Sequence, residues 1–155
     1  MHVSVVPKTS DAFMSLSARY TKANRQRPLP GRADIYGAII YCPQTRRYAL
    51  VQGHQTGKWS FPKGHVNRFE TPLECVVREV YEETGVEHLP TPLQGLSLDV
   101  GYYYAFEVPT ELLLTPHDVN EVRNVGWFTL EQMRTMSVNI DISAYLKQRS
   151  NTVMN

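Results

Sequence analysis

From Ile35 to Cys42 nearly every position is apolar, IYGAIIYC, the β-branched and aromatic run of a strand buried on both faces. A turn at Pro43–Thr45 leads to a second strand over Tyr48–Gln52. A polar, glycine-containing loop from Gly53 to Lys58 then leads to a short strand at Trp59–Phe61. Pro62, Lys63 and Gly64 continue as loop. The period now changes: Leu73, Val76, Val77 and Val80 recur at helical spacing. Thr71 with Glu74 forms a capping box, Pro72 suits the first helical position, and Gly85 stands where a left-handed residue would end the helix. A helix over 71–84 is predicted. Alternation resumes from Leu93 to Val108, with Gly101 as a turn or bulge. A polar connection spans 109–121, and VRNVGWF at 122–128 reads as a strand. Thr129 and Gln132 make a second capping box, opening a short helix to about Met136. A last helix starts near Asn139 or Asp141 and runs through Ala144, Tyr145 and Leu146 toward Arg149. Strands alternating with helices predict an α/β fold with a mixed sheet.

Residues 1–33 carry a weaker signal. Ser10 can cap a loose helical spacing of Phe13, Met14, Leu16, Ser17 and Tyr20, before Pro28, Pro30 and Gly31 break it. The expected organisation is a basic extension over 1–33, one domain over 34–150 and a tail over 151–155. The 155 residues suit one domain; 42% hydrophobic and 20% charged residues are ordinary for a soluble protein. No stretch approaches the roughly 18 apolar residues of a membrane span, and MHVSVVPKTSD lacks the features of a secretory signal. Two cysteines, Cys42 and Cys75, suggest neither a disulfide framework nor zinc, and point to the cytoplasm. Cys75 lies near the acidic flank of the helix, which leaves a weak redox sensitivity open.

Charge changes the picture more than composition does. The net charge is +1, but residues 1–33 hold Lys8, Arg19, Lys22, Arg25, Arg27 and Arg32 against Asp11 alone. That local balance of +5 leaves the remainder at about −4. A basic arm suits a polyanionic substrate; a solvated terminus fits it equally. On the helix, Glu79, Glu82 and Glu83 are related by i, i+3 and i+4, so their carboxylates share one face and repel. A solvated acidic face would intersperse lysines, and none lies among them. A hard divalent cation such as Mg²⁺ or Mn²⁺ would relieve the repulsion. Spacing alone leaves both readings open.

The flanking residues add a longer pattern. Gly64, Glu70, Arg78, Glu79, Val80, Glu82, Glu83, Gly85 and Val86 match every fixed position of the Nudix box, G-x5-E-x7-R-E-U-x-E-E-x-G-U, where U is aliphatic. The chain resembles the Nudix hydrolases. The resemblance implies an α/β/α sandwich with a mixed sheet and its catalytic loop–helix motif at residues 64–86. It implies metal-assisted attack of water on a phosphoanhydride. It also makes Glu79, Glu82 and Glu83 the ligand set, with the backbone carbonyl of Lys63 as a further ligand. Glu70 and Arg78 would support the motif through an ion pair.

A carboxylate bound to metal is a poor base, so an acid outside the helix is attractive. Glu121 is the candidate, with Asp118 as alternative. EVRNVGWF resembles the E-I-x-x-I-x-W-F segment of mRNA-decapping Nudix enzymes at Glu121, Val122, Val125, Trp127 and Phe128. In those enzymes the glutamate serves metal binding and base catalysis. YGAII, LVQG and WSFPKG resemble the same enzymes. The resemblance, which covers about residues 33–136, places Lys63 against phosphate with Gly64 beside it, and His65 is a substrate-adjacent or merely polar loop residue. The charge of the arm offers Lys22, Arg25, Arg27 and Arg32 to an RNA backbone. The expected partner is capped RNA or a nucleotide polyphosphate, with no membrane and no DNA-specific motif; protein partners stay open. A PKGH segment also occurs in dinucleoside polyphosphate hydrolases. Diadenosine tetraphosphate, a diphosphoinositol polyphosphate, or a non-catalytic Nudix-fold binding role are therefore alternatives. Two departures from the decapping pattern stand out: the 33-residue arm is too short for a helical regulatory domain, and only Lys147 and Arg149 decorate the last helix. Tyr102, Tyr103 and Tyr104 read as core or sheet-face packing, with base stacking by one of them as the alternative, and Trp59 and Trp127 read as sheet residues.

Overall fold

The run at Ile35–Cys42 forms β1, and the other strands are assembled on it. The computed structural model describes residues 34–154; the weak helix and break expected before residue 34 lie outside the described residues. Along one edge β1 runs parallel to β6 (Tyr102–Glu107), from Tyr36 opposite Tyr102 to Tyr41 opposite Glu107. Along the other edge it changes partner. β2 (Arg47–Gly53) is paired only at Tyr41–Tyr48 and Cys42–Arg47, and β4 (Lys63–His65) takes Ile35, Tyr36 and Gly37. Between them the Ala38 N–H donates to the Pro62 carbonyl at 2.9 Å. β2 also pairs antiparallel with β3 (Trp59–Ser60) and β7 (Val122–Thr129). β5 (Gln94–Ser97) closes the far edge on β6. The seven strands make the expected mixed sheet.

Period-two alternation sorts the core into two clusters on opposite faces. Tyr36, Ala38, Ile40, Cys42, Tyr104 and Phe106 face helix α1 (Pro72–Thr84), which answers with Leu73, Val76 and Val80. Ile39, Leu50, Phe61 and Tyr103 face α2 (Leu130–Met133) and α3 (Ile140–Met154), which supply Met133, Ile142, Tyr145 and Leu146. The chain is an α/β/α sandwich. Among the described residues no helix is long and apolar enough to cross a membrane.

Several local expectations need correction. Lys63, Gly64 and His65 are a strand and not loop, because β1 and β2 part company and leave the first three residues of β1 to be paired. The interruption expected at Gly101 is a turn, closed by the Leu98 N–H on the Gly101 carbonyl at 2.9 Å, and it divides the stretch into β5 and β6. The helix at Leu130 keeps its Thr129–Gln132 capping box but ends at Met133. The last helix is longer than expected. Asn139 caps it, its Oδ1 accepting from Ile142 N at 2.9 Å, and no glycine or proline follows to stop it. It runs to Met154, into the stretch set apart as a tail.

The tyrosine triplet is mostly core. Tyr103 lies edge-on to Phe61, ring centroids 5.7 Å apart, and its hydroxyl donates to Asp141 at 2.6 Å. Burial and then that bond push the Tyr103 hydroxyl far above its ordinary pKa. Tyr104 is also buried, so neither ring is free to stack on a base. Asp141, 2% exposed, accepts as well from the Val100 and Gly101 N–H groups at 2.6 and 2.9 Å, tying α3 to the β5–β6 turn. Asp141→Ala leaves two N–H groups and a hydroxyl without their acceptor, at about 1–3 kcal/mol each. Urea unfolding of that variant should show a loss of roughly 3 kcal/mol or more, against about 1 kcal/mol for Tyr103→Phe. A loss below about 1 kcal/mol for Asp141→Ala would contradict this account.

Candidate active site

Helix α1 starts at its expected capping box. Thr71 Oγ1 accepts from Glu74 N at 3.1 Å, and Glu74 Oε1 accepts from Thr71 N at 2.8 Å. It ends at Gly85, φ 76°, in the left-handed region that glycine enters freely. The carbonyls of its last turn do not face water. The Thr115 N–H donates to Thr84 O at 2.7 Å, and the His117 and Asp118 N–H groups both donate to Glu82 O at 2.9 Å. A Cβ at Gly85 would collide with the Thr115 carbonyl. The loop that leads to β7 is thus stitched to the helix, and three residues on it presents Glu121.

Glu79 and Glu83 project from α1 toward the sheet and are 7% and 5% exposed. Glu121, exposed, completes a cluster: one oxygen from each of the three lies within 4.8 Å of the others. Two opposed oxygens on one Mg²⁺-sized ion stand about 4.2 Å apart, so small side-chain rotations would close the set. All the donors are carboxylate oxygens, the chemistry hard divalent cations prefer. The fit is tight on the strand side, where a Cβ at Gly64 would overlap the Glu79 carboxylate. Glu82 does not join this cluster. Its side chain is 42% exposed and turns to Arg78 at 3.2 Å.

Arg78 answers most of the negative charge. Its Nε and Nη2 grip Glu70 at 2.7 and 3.0 Å, and Nη2 also donates to the His65 carbonyl at 3.0 Å. Nη1 reaches Glu79 at 2.8 Å as well as Glu82. Beyond its ion pair with Glu70, Arg78 is therefore the counter-ion of the acidic face, the role for which no lysine was available. Burial pushes Glu70 up, but the Arg78 hydrogen bond and the Asn67 N–H outweigh it and hold Glu70 below the usual carboxylate range. For Glu79, burial outweighs Arg78, and Glu82 and Glu121 add to it, so its pKa rises to about 7. Glu83 rises to about 8 through burial and then the charge of Glu79, against the pull of Lys63. The Lys63 N–H donates to Glu83 Oε1 at 3.1 Å.

The remaining predicted residues are placed as follows. His65 is exposed on β4, its carbonyl taken by Arg78. Asp118 Oδ1 accepts from Glu121 N at 3.1 Å, so that carboxylate organises the loop. Lys22, Arg25, Arg27 and Arg32 lie outside the described residues. Cys75 is buried, and burial followed by the charge of Glu70 pushes its thiol up to about 12, which removes the redox sensitivity left open above.

Two features were missed. His54 donates its N–H to the Glu121 carbonyl at 3.0 Å, and its Nε2 bonds Val119 O at 3.1 Å. With Gln55, Asp118, Asn120 and Glu121 it lines an open pocket of about 550 Å³. A lone histidine in a polar loop gives no sequence signal for this. The second is Phe69, 80% exposed at φ 67°, with the Arg68 guanidinium 5.0 Å from its ring centroid. A side chain in that backbone region costs about 1–2 kcal/mol, and an exposed cation–π contact returns only about 0.5–1 kcal/mol.

The chain matches the NUDIX domain over residues 32–147. It is 32% identical over 121 residues to the m7GpppN-mRNA hydrolase dcap-2 of Caenorhabditis elegans, covering 72% of this chain and 15% of that protein. To the mRNA decapping complex subunit 2 of Schizosaccharomyces pombe it is 39% identical over 118 residues, 70% of this chain and 16% of that one. An RNA pyrophosphohydrolase of Francisella tularensis is 27% identical over 113 residues, 73% of this chain and 69% of that protein. The chain thus spans only a small part of the length of its decapping relatives. The fold is shared with a C. elegans Ap4A hydrolase (TM-score 0.57, 22% identity, 77% of this chain and 98% of that one). It is shared too with RenU of M. smegmatis (TM-score 0.62, 16% identity, 79% and 86%).

The buried carboxylates set a pH dependence. Glu79 and Glu83 have folded values of about 7 and 8, above the 4.5 of a free carboxyl, so the unfolded chain loses these protons first as pH rises. Their contribution to the metal-free fold is complete below about pH 4.5, falls as pH rises toward 8, and is flat above. In EDTA the melting temperature should therefore fall between pH 5.5 and 8.5. Glu83→Gln, which keeps the shape without the charge, should flatten that fall, by on the order of a few kcal/mol at the alkaline end. Adding Mg²⁺ should raise the wild-type melting temperature most at pH 8.5. A variant with the wild-type pH profile would refute the burial argument.

Proposed function

The chain belongs to the Nudix family, and on that premise we propose that it hydrolyses a phosphoanhydride in the 5′ cap of RNA, releasing m7GDP and 5′-monophosphate RNA. The observation that carries this reading is the convergence of Glu121 with Glu79 and Glu83. Glu121 stands at the head of the segment that resembles the decapping enzymes, and it comes from outside the box helix. The similarity to decapping and RNA pyrophosphohydrolase relatives supports the same substrate class.

The three carboxylates divide the work. Glu79 and Glu83, buried and close together, would hold Mg²⁺ or Mn²⁺, with Glu82 beside them and the Lys63 carbonyl as a further donor. When bound, such an ion lowers the pKa of a water and offsets phosphate charge. Glu121 is exposed, and its backbone is fixed on both sides, by Asp118 at its N–H and by His54 at its carbonyl. Glu121 would act as the base that takes a proton from the attacking water, or as a further ligand of the ion. Lys63 would steady phosphate oxygens, with Gly64 and His65 beside them, and Lys22, Arg25, Arg27 and Arg32 would contact the RNA backbone. A binding role without catalysis does not need three carboxylates gathered around one point.

A substrate panel tests this reading. With Mg²⁺ or Mn²⁺, the protein should release m7GDP from capped RNA faster than it cleaves diadenosine tetraphosphate or a diphosphoinositol polyphosphate. Glu83→Gln and Glu121→Gln should each lower kcat by roughly 100-fold or more. Turnover of the small molecules alone would exclude decapping, and no turnover of any substrate would favour a binding module. Full activity in Glu121→Gln would remove that residue from the mechanism.

A further inference from the structure

We propose that Phe69, with Arg68, forms a stacking platform for a nucleobase of a single-stranded RNA whose 5′ end lies at the carboxylate cluster. The inference rests on the capped-RNA reading and adds a subsite to it. Phe69 is joined to the cluster by a short chain of contacts. Its neighbour Glu70 accepts from Asn67 N at 2.8 Å and from Arg78 Nε at 2.7 Å, and Arg78 Nη1 reaches Glu79 at 2.8 Å.

Folding does not account for the ring. Phe69 sits two residues before the cap Thr71, one position short of the site from which an apolar residue staples onto the first helical turn, and it stays 80% exposed. Its φ of 67° suits glycine or asparagine far better than an aromatic residue. A strained backbone that carries an exposed ring points to function. Arg68 lies against that ring, 5.0 Å from its centroid. An aromatic surface beside a guanidinium is what sequence-tolerant binding of single strands requires, the ring for a base and the cation for the adjoining phosphate.

Charge on the two sides of the cluster agrees with this direction. Lys63 and Arg68 lie on the β4 side, where the Glu70 carboxylate is already paired with Arg78, whereas Asp118 and Glu121 line the pocket on the other. A polyanion leaving the cluster runs over β4 and the loop at 66–70.

The test is the affinity for a 3′-labelled ten-nucleotide RNA with a 5′-monophosphate, measured by fluorescence anisotropy. This RNA is not turned over, so the result is independent of whether cap hydrolysis occurs. Phe69→Ala should weaken binding about tenfold, as loss of one stacked base does, and Phe69→Tyr should stay within about twofold of wild type. Phe69→Asn removes the ring but accepts the left-handed backbone; it should bind as weakly as Phe69→Ala and melt above wild type. Arg68→Gln should reduce the salt slope by about one phosphate contact. Against a strand made abasic throughout, wild type and Phe69→Ala should be equal. Affinity of Phe69→Ala and Phe69→Asn within twofold of wild type would overturn the proposal. So would an equal loss on the abasic strand, or a wild-type protein that does not bind the RNA. If the platform holds but capped RNA is not cleaved, the cap reading alone fails.

Discussion

Burying two carboxylates side by side is costly, and much of the architecture around α1 is an answer to that cost. Glu79 and Glu83 are carried inward by the same helix that packs Leu73, Val76 and Val80 on the sheet. The apolar stripe sets the depth of the helix, and the depth desolvates the acids. Arg78 meets them from the helix itself, Lys63 offers its N–H from β4, and Gly64 leaves out the side chain that would fill their space. Remove the pairing of β4 to β1 and two of these three answers go with it.

The charge that remains is unevenly placed. Two acids are shut away and hold their protons up to about pH 7 and 8, whereas Glu121 stands in contact with solvent. A buried pair suits the retention of an ion; an exposed carboxylate suits exchange of a proton with water. Asp118 and Glu121 line the pocket on one side of the buried pair, and Lys63 stands on β4 at the other.

How much of this was legible in the sequence depended on range. The caps at Thr71, Gly85 and Thr129 and the stripe of α1 follow from local spacing and were readable, while the sandwich was implied by the Nudix resemblance. Glu70 and Arg78 could be paired because a motif links them. Three features needed the tertiary fold. Three residues at Lys63 became a strand only because β1 outlives its pairing with β2. Glu82 shares helical spacing with Glu79 and Glu83, but rotation about its own side chain takes it to Arg78, while Glu121 takes its place from 39 residues further along. Asp141 looked like a helix-start residue; its partners at Val100, Gly101 and Tyr103 are about 40 positions earlier.

The hydrogen bonds that stitch the 115–118 loop to α1 are all made by main-chain atoms, with N–H groups of Thr115, His117 and Asp118 on carbonyls of Glu82 and Thr84, and the His117 ring stacks on Tyr81 of α1 at 4.4 Å between centroids. Main-chain contacts are indifferent to side-chain identity. Residues 115 and 116 can therefore diverge among descendants of this protein while the placement of Glu121 is inherited intact, whereas His117 is also held by its ring contact with Tyr81. Gly85, where any Cβ would meet the Thr115 carbonyl, records the main-chain constraint in the alphabet of amino acids. A glycine usually read as the end of a helix is also the mark of where the third carboxylate is held.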